Sequence, residues 1–192
     1  MRWRWWRYSS RGDRVSADPR AARTRARLHE ALFEACADRP LGEVSVAEVT
    51  RLARVSRGTF YLHYEDLSAL AVGASAELVR DAVDALHASD DPPSVLTGLL
   101  GSISQHANVY RGLIGPGGGG PLGEALHGEL RDRALVERRK RAVQPGDEAI
   151  ASAVAATFTG VVAGWLHGRV PGSAGEVAGR IWGMVVALHR SL

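Results

Sequence analysis

Apolar residues recur along this chain at intervals of three and four, and no stretch alternates convincingly at two. Leu28, Ala31, Leu32, Ala35 and Cys36 form the first such stripe and predict a helix to about Ala37, with Asp18 as N-cap and Pro19 at the first helical position. A second, short helix is expected in "SVAEVTRLA", where Ser45 is followed three residues later by Glu48 in a capping-box pattern. A third begins after Ser56, in "RGTFYLHY". Asp66 is expected to cap a long fourth helix, Leu67 to about Leu86, with Leu67, Leu70, Ala71, Ala74, Leu78, Val79, Ala82 and Leu86 on its apolar side. The prolines of "ASDDPPS" should end it. Further helices are expected from Ser94 to about His106, over a turn or two at Tyr110 to Ile114, from Leu122 to about Ala142, from Asp147 to about His167 and from Ala174 to about His189. Ser173 and Glu176 repeat the capping box at the start of the last one. The pattern predicts an all-α protein with eight or nine helices.

One element breaks the rule that a helix carries an apolar stripe. "VSRGTFYLHY", residues 55–64, offers little more than Val55, Phe60 and Leu62 to a core, and otherwise presents hydrogen-bonding groups and positive charge. It follows the second helix after about three residues, the spacing of a helix-turn-helix. A helix of this size fits the major groove of B-form DNA. Gly58 keeps its middle lean, Arg57 has the reach for a base edge or a phosphate, and Thr59 can meet a thymine methyl or donate a hydrogen bond. Ser45 stands at a helix N-terminus, where free N–H groups favour a phosphate. Tyr61 and His63 suit the DNA backbone or the core, whereas Tyr64 is assigned to core packing.

Charge sharpens this reading. Residues 1–27 hold nine arginines and two aspartates, a charge of +7, which leaves −4 of the overall +3 for the rest of the chain. An end-loaded basic segment suits nucleic acid and suits an anionic membrane surface almost as well. Residues 1–17, "MRWRWWRYSSRGDRVSA", have no period and are expected to be disordered; they are no good signal peptide, lacking a continuous apolar run. Arg2, Arg4 and Arg7 are candidates for a minor-groove arm, the Trp/Arg alternation for a membrane-surface anchor, and the whole segment for an extension of no consequence. The uncharged stretch "AIASAVAATFTGVVAGWL" reaches the lower edge of a membrane span, but it is rich in Ala, Gly, Ser and Thr, so a helix buried on all sides is expected and no stable membrane insertion.

Other chemistry finds little support. A single cysteine, Cys36, permits no internal disulfide and is read as a small core residue. The seven histidines are scattered singly, without the spacing of a metal site, and no nucleophile elbow or phosphate loop is present, so neither an enzyme nor a cofactor is expected. "GPGGGGP", residues 115–121, reads as a flexible break, either a gate or a plain connection. The "ERRKR" run is read as a solvated helix face.

With Ser45, Val49, Ala53, Val55, Ser56, Gly58, Thr59, Tyr61 and His63 in place, the block "SVAEVTRLARVSRGTFYLHYEDLSAL" resembles the TetR family of transcriptional regulators. Three features depart from the family pattern: Arg54 stands at the usual turn glycine, Leu67 where many members carry Lys, and Tyr64 where Phe is usual. The resemblance implies a helix-turn-helix DNA-binding domain at residues 18–65 and a larger helical ligand-binding and dimerisation domain at residues 66–192. It implies double-stranded DNA as partner, read by Ser45, Arg54, Ser56, Arg57, Gly58, Thr59, Tyr61 and His63. It also implies a cytoplasmic homodimer, with Phe158, Val161, Trp165, Ile181, Trp182, Val185 and Val186 at its interface. A small-molecule effector would meet Leu99, Ile103, His106, Tyr110, Phe158, Val162 and Trp165. The expected function is a ligand-responsive repressor; a helical interaction module that has lost DNA binding and a membrane-surface protein are the alternatives.

Overall fold

The computed structural model describes residues 19–140 and 144–190. The tail of residues 1–17, with Arg2, Arg4 and Arg7, and the proposed cap Asp18 lie outside the described residues. Among those described there are nine α-helices and one short 3-10 turn, and no strand. The helices are α1 (Pro19–Ala35), α2 (Val46–Ala53), α3 (Arg57–Tyr61), α4 (Leu67–Ala88), α5 (Pro92–Gln105), α6 (Ala107–Leu113), α7 (Pro121–Arg139), α8 (Asp147–Leu166) and α9 (Ala174–Arg190).

The α1 stripe closes on α2 and α3. Leu28, Leu32, Val49 and Phe60 are fully buried in this N-terminal bundle, with Ala53 beside them. The long α4 then leads into the remaining helices, where α7 lies along α8, and α9 against both α5 and α8. Leu100, Ile103, Tyr110, Leu122, Leu126, Val162 and Ile181 form the centre. Between Ala149 and Leu166, α8 carries no charge and is long and apolar enough to cross a bilayer, yet half of that stretch is buried against protein.

Several local expectations are revised. The prolines after α4 do not merely stop it. Pro92 and Pro93 begin α5, with Asp91 accepting the Ser94 N–H at 3.3 Å, because proline lacks only an N–H that the first helical turn leaves unpaired anyway. The glycine-rich segment is a built turn rather than a loose break. Gly115 N–H donates to Gly119 O at 2.7 Å, and a Cβ placed on Gly123 would fall 2.0 Å from Gly118 O, so only glycine permits that approach. Ser45 caps α2, but the box is half formed. Ser45 Oγ accepts the Glu48 N–H at 3.3 Å, whereas the Glu48 carboxylate is taken by Arg39. At α9 the reciprocal box is complete: Ser173 N–H donates to Glu176 Oε2 at 2.7 Å and Glu176 N–H to Ser173 Oγ at 3.3 Å.

Helix α6 ties the two parts of the chain together at helix ends. Asn108 Nδ2 donates to Ala37 O at 3.2 Å, just past the C-terminus of α1. Arg111 Nε donates to Leu166 O at 2.7 Å, at the end of α8, and His167 Nε2 donates to Ile114 O at 2.9 Å. Carbonyls left over by one helix are thus satisfied from another.

Candidate nucleic-acid interface

The turn between α2 and α3 is set by residue 54. Arg54 has φ 55 and ψ 46 and is the sole non-glycine residue with positive φ among those described. Its N–H donates to Arg51 O at 3.2 Å and the Val55 N–H to Thr50 O at 3.0 Å, the paired bonds of a Schellman motif. The left-handed conformation expected of the missing glycine is therefore kept, at a cost of about 1–2 kcal/mol for a side-chain-bearing residue.

Ser56 opens α3. Its Oγ accepts the Thr59 N–H at 3.0 Å and lies 2.8 Å from Thr59 Oγ1. The helix proper spans five residues rather than the eight expected, with Leu62, His63 and Tyr64 N–H groups still bonded back to Gly58 and Phe60. Phe60, wholly buried, anchors it to the core. At about 100° per residue, Gly58 and Leu62 fall opposite Phe60 and Tyr61 to one side, with Arg57 beyond Tyr61 at about 60° from Phe60, and all four are exposed. Thr59 and His63 flank that face and are half-buried. Ser45, Arg54 and Ser56 are exposed beside it, although both serine hydroxyls already serve as caps. No carboxylate pairs with Arg51, Arg54 or Arg57 among the described residues. Leu62, 84 % exposed, belongs to this face, and motif reasoning had left it with the core.

Behind α3 lies a polar contact that sequence did not foresee. Tyr64 packs on α4 at Gly73, where a Cβ would come within 3.2 Å of its ring. Its hydroxyl is 2.7 Å from Nε2 of His29, a residue of α1 that is 2 % exposed. His29 Nδ1 faces Glu77 Oε2 on α4 at 3.4 Å. Burial, aided by the Arg25 charge, lowers the His29 pKa from 6.5 to about 4, so the ring is neutral near pH 7. Burial likewise raises Tyr64 to about 12 and raises Glu77. The group joins α1, the end of the α3 segment and α4.

No family model matches this chain, and no curated protein does. Solved structures do. A TetR transcriptional regulator from Rhodococcus sp. RHA1 aligns with a TM-score of 0.65 over 90 % of this chain and 99 % of its own, at 19 % identity. The fold is that of the TetR-family transcriptional regulators. A protein from Syntrophomonas wolfei assigned to the TetR family aligns equally well, at 0.65 over 89 % and 97 % with 13 % identity. Thermus thermophilus FadR, a TetR-family repressor solved with lauroyl-CoA, follows at 0.57 over 84 % and 93 % with 17 % identity. In the TetR fold observed here, α1 to α3 form the helix-turn-helix head and α4 to α9 the helical body.

The body places the remaining predicted residues as follows. Leu99, Ile103, Tyr110, Phe158 and Val162 are buried together in the core, and His106 and Trp165 lie half-buried at its margin. His106 stacks on Phe33 of α1 at a centroid distance of 4.5 Å, and burial lowers its pKa. The Tyr110 hydroxyl is closed from solvent beside the Ser75 hydroxyl, which donates to Ala71 O at 2.7 Å and keeps lone pairs that can accept from Tyr110. A surface cleft of about 470 Å³ between α4 and α7 includes none of the predicted wall residues; Asp84, His87, Glu129, Asp132, Arg133, Val136 and Glu137 line it. Of the residues expected at a dimer interface, Phe158 and Ile181 are enclosed in their own protomer and have almost no surface to offer a partner. Val161, Trp165, Trp182, Val185 and Val186 are half-buried. The outward face of α9 is instead Gly175, Gly179, Gly183 and Ala187, four residues apart, with Met184 beside them. In α9 Val177, Ala178 and Ile181 turn inward, while Met184 stays on the outward face.

Proposed function

We propose that the protein is a DNA-binding transcriptional regulator, working in the cytoplasm as a homodimer and, more specifically, as a ligand-responsive repressor of a roughly palindromic operator. The observation that carries this reading is the bare face of α3. A short helix is held by one buried phenylalanine, and everything opposite that anchor is exposed. Arg51, Arg54 and Arg57, without carboxylate partners among the described residues, add positive charge on and beside it. Cationic side chains of this kind suit phosphates, which set register, while the lean centre of the helix suits base edges. The small residues exposed on α9 and, on α8, at Ala156 and Gly160 support a two-fold pairing that sets the two α3 helices about one DNA turn, roughly 34–36 Å, apart.

An effector would act by favouring one of two head spacings, which requires different affinities for the two states. The buried apolar side chains of Leu99, Ile103, Phe158 and Val162 in the body support a mainly apolar effector. The acyl-CoA-bound relative is compatible with that class. The lost-function alternative loses part of its motive, because the Arg54 turn closes with its hydrogen bonds intact. Leu67, however, packs against the core and supplies no phosphate contact.

Selection of bound duplexes from a random pool tests the proposal. A single palindrome is expected, with affinity falling steeply as salt rises. Weak, sequence-blind binding would instead favour the interaction-module reading, and vesicle flotation dependent on residues 1–17 the membrane reading.

A further inference from the structure

We propose that Leu62, together with the bare backbone of Gly58, forms a notch that reads the C5-methyl group of thymine. The inference rests on the DNA-binding reading above and adds a specificity residue to it. Among the described residues only Tyr61, Leu62, Val136 and Met184 are large, apolar and exposed, and two of the four are adjacent at the C-terminal end of α3. One exposed leucine is ordinary on any protein. The placement of this one is not. Leu62 follows Gly58 by four residues, its N–H bonded to Gly58 O at 3.2 Å, and its φ of −73 and ψ of −18 continue the helix. A helical side chain leans toward the N-terminus, onto the residue four before it. Leu62 therefore overhangs a position that has no side chain.

The notch is open. A Cβ built on Gly58 would meet nothing nearer than Ser56 Oγ at 3.7 Å, so the space is left free for an incoming group. Tyr61, 59 % exposed, borders one side and Arg57 continues the face. Arg51, Arg54 and Arg57, none paired with a carboxylate among the described residues, give the surroundings a positive charge that suits a polyanionic occupant offering small apolar groups at its surface. Duplex DNA meets both demands in the major groove, where thymine alone carries a methyl.

The test uses the full-length protein and the duplex selected from the random pool. Each thymine is replaced in turn by deoxyuridine, which removes only the methyl. For wild type, one thymine per half-site should lose about three- to five-fold in affinity, the effect of returning one methyl group to water. Leu62→Ala should bind the thymine and deoxyuridine duplexes equally at that position while keeping the wild-type sensitivity at all others. Its thermal midpoint should match wild type, because Leu62 contributes little buried area. Equal thymine-to-deoxyuridine ratios for wild type and Leu62→Ala at every position, or no methyl sensitivity at all in a sequence-specific wild-type complex, would overturn this inference and leave DNA binding standing. A pool that yields no preferred duplex would overturn both.

Discussion

Replacing Tyr64 by Phe tests the polar joint between head and body. The ring and its contact with Gly73 remain, and only the hydroxyl goes. The hydrogen bonds are best satisfied when Tyr64 donates to His29 Nε2, leaving the Nδ1–H to face Glu77. Loss of that donor strands Nε2 in a site 2 % exposed, which costs about 1–3 kcal/mol, less a part recovered by no longer desolvating the phenol. A net loss of about 1–2 kcal/mol should lower the thermal midpoint by roughly 3–6 °C for a chain of this length. Urea unfolding at fixed protomer concentration gives the direct measure, as a lower midpoint with unchanged slope. The same substitution in a His29→Leu background should cost little, since no acceptor remains to be stranded. A Tyr64→Phe protein within about 0.3 kcal/mol of wild type, or a penalty that persists without His29, would refute the reasoning. This outcome runs against family pattern, in which Phe is the usual residue at Tyr64.

Other consequences follow from the same geometry. Because the folded-state pKa of His29 is about 4 against 6.5 when unfolded, the unfolded chain binds the extra proton first as pH falls. The His29 contribution should therefore remove about 3 kcal/mol of stability between pH 6.5 and 4 and level off below, a decline largely absent in His29→Leu. Arg54→Gly should stabilise the protein by about 1 kcal/mol in urea by relieving the left-handed backbone. If Arg54 meets a phosphate, the same variant lowers DNA affinity and reduces the slope of log affinity against log salt by roughly 0.9; an unchanged slope removes Arg54 from the interface. Asp147, held below the usual carboxylate range by the Gln144 N–H and by Arg138, favours the folded state above its unfolded pKa and loses that contribution as pH falls through its lower folded value. Asp147→Asn should therefore flatten the acid limb of the stability curve, and an unaltered limb would contradict the assignment. Gly183→Glu places a charge on the outward face of α9, where an added Cβ meets nothing within the protomer. Sedimentation at low concentration should find a folded monomer, and a persistent dimer would exclude that face.

The helix periods, the two serine caps before α2 and α3, and the polar α3 were legible in sequence because each depends on residues within one or two turns of one another. So was the demand on residue 54, since the two short helices can turn there only through a left-handed residue. Three things required the tertiary structure. The Glu48 carboxylate was drawn from its cap to Arg39, nine residues away, by a cationic partner that local pattern does not weigh. His29, Tyr64 and Glu77 come from three separate elements, and only the packing of α1 and the α3 end on α4 joins them. The direction of α9 was decided by its neighbours: the helix packs on α5 and α8, Ile181 is buried, and Gly175, Gly179 and Gly183 are left outside. Local chemistry determines which segments become helices, because their hydrogen bonds close within the segment. Which face of each helix meets water is decided by the other helices, through area that no single segment can bury alone.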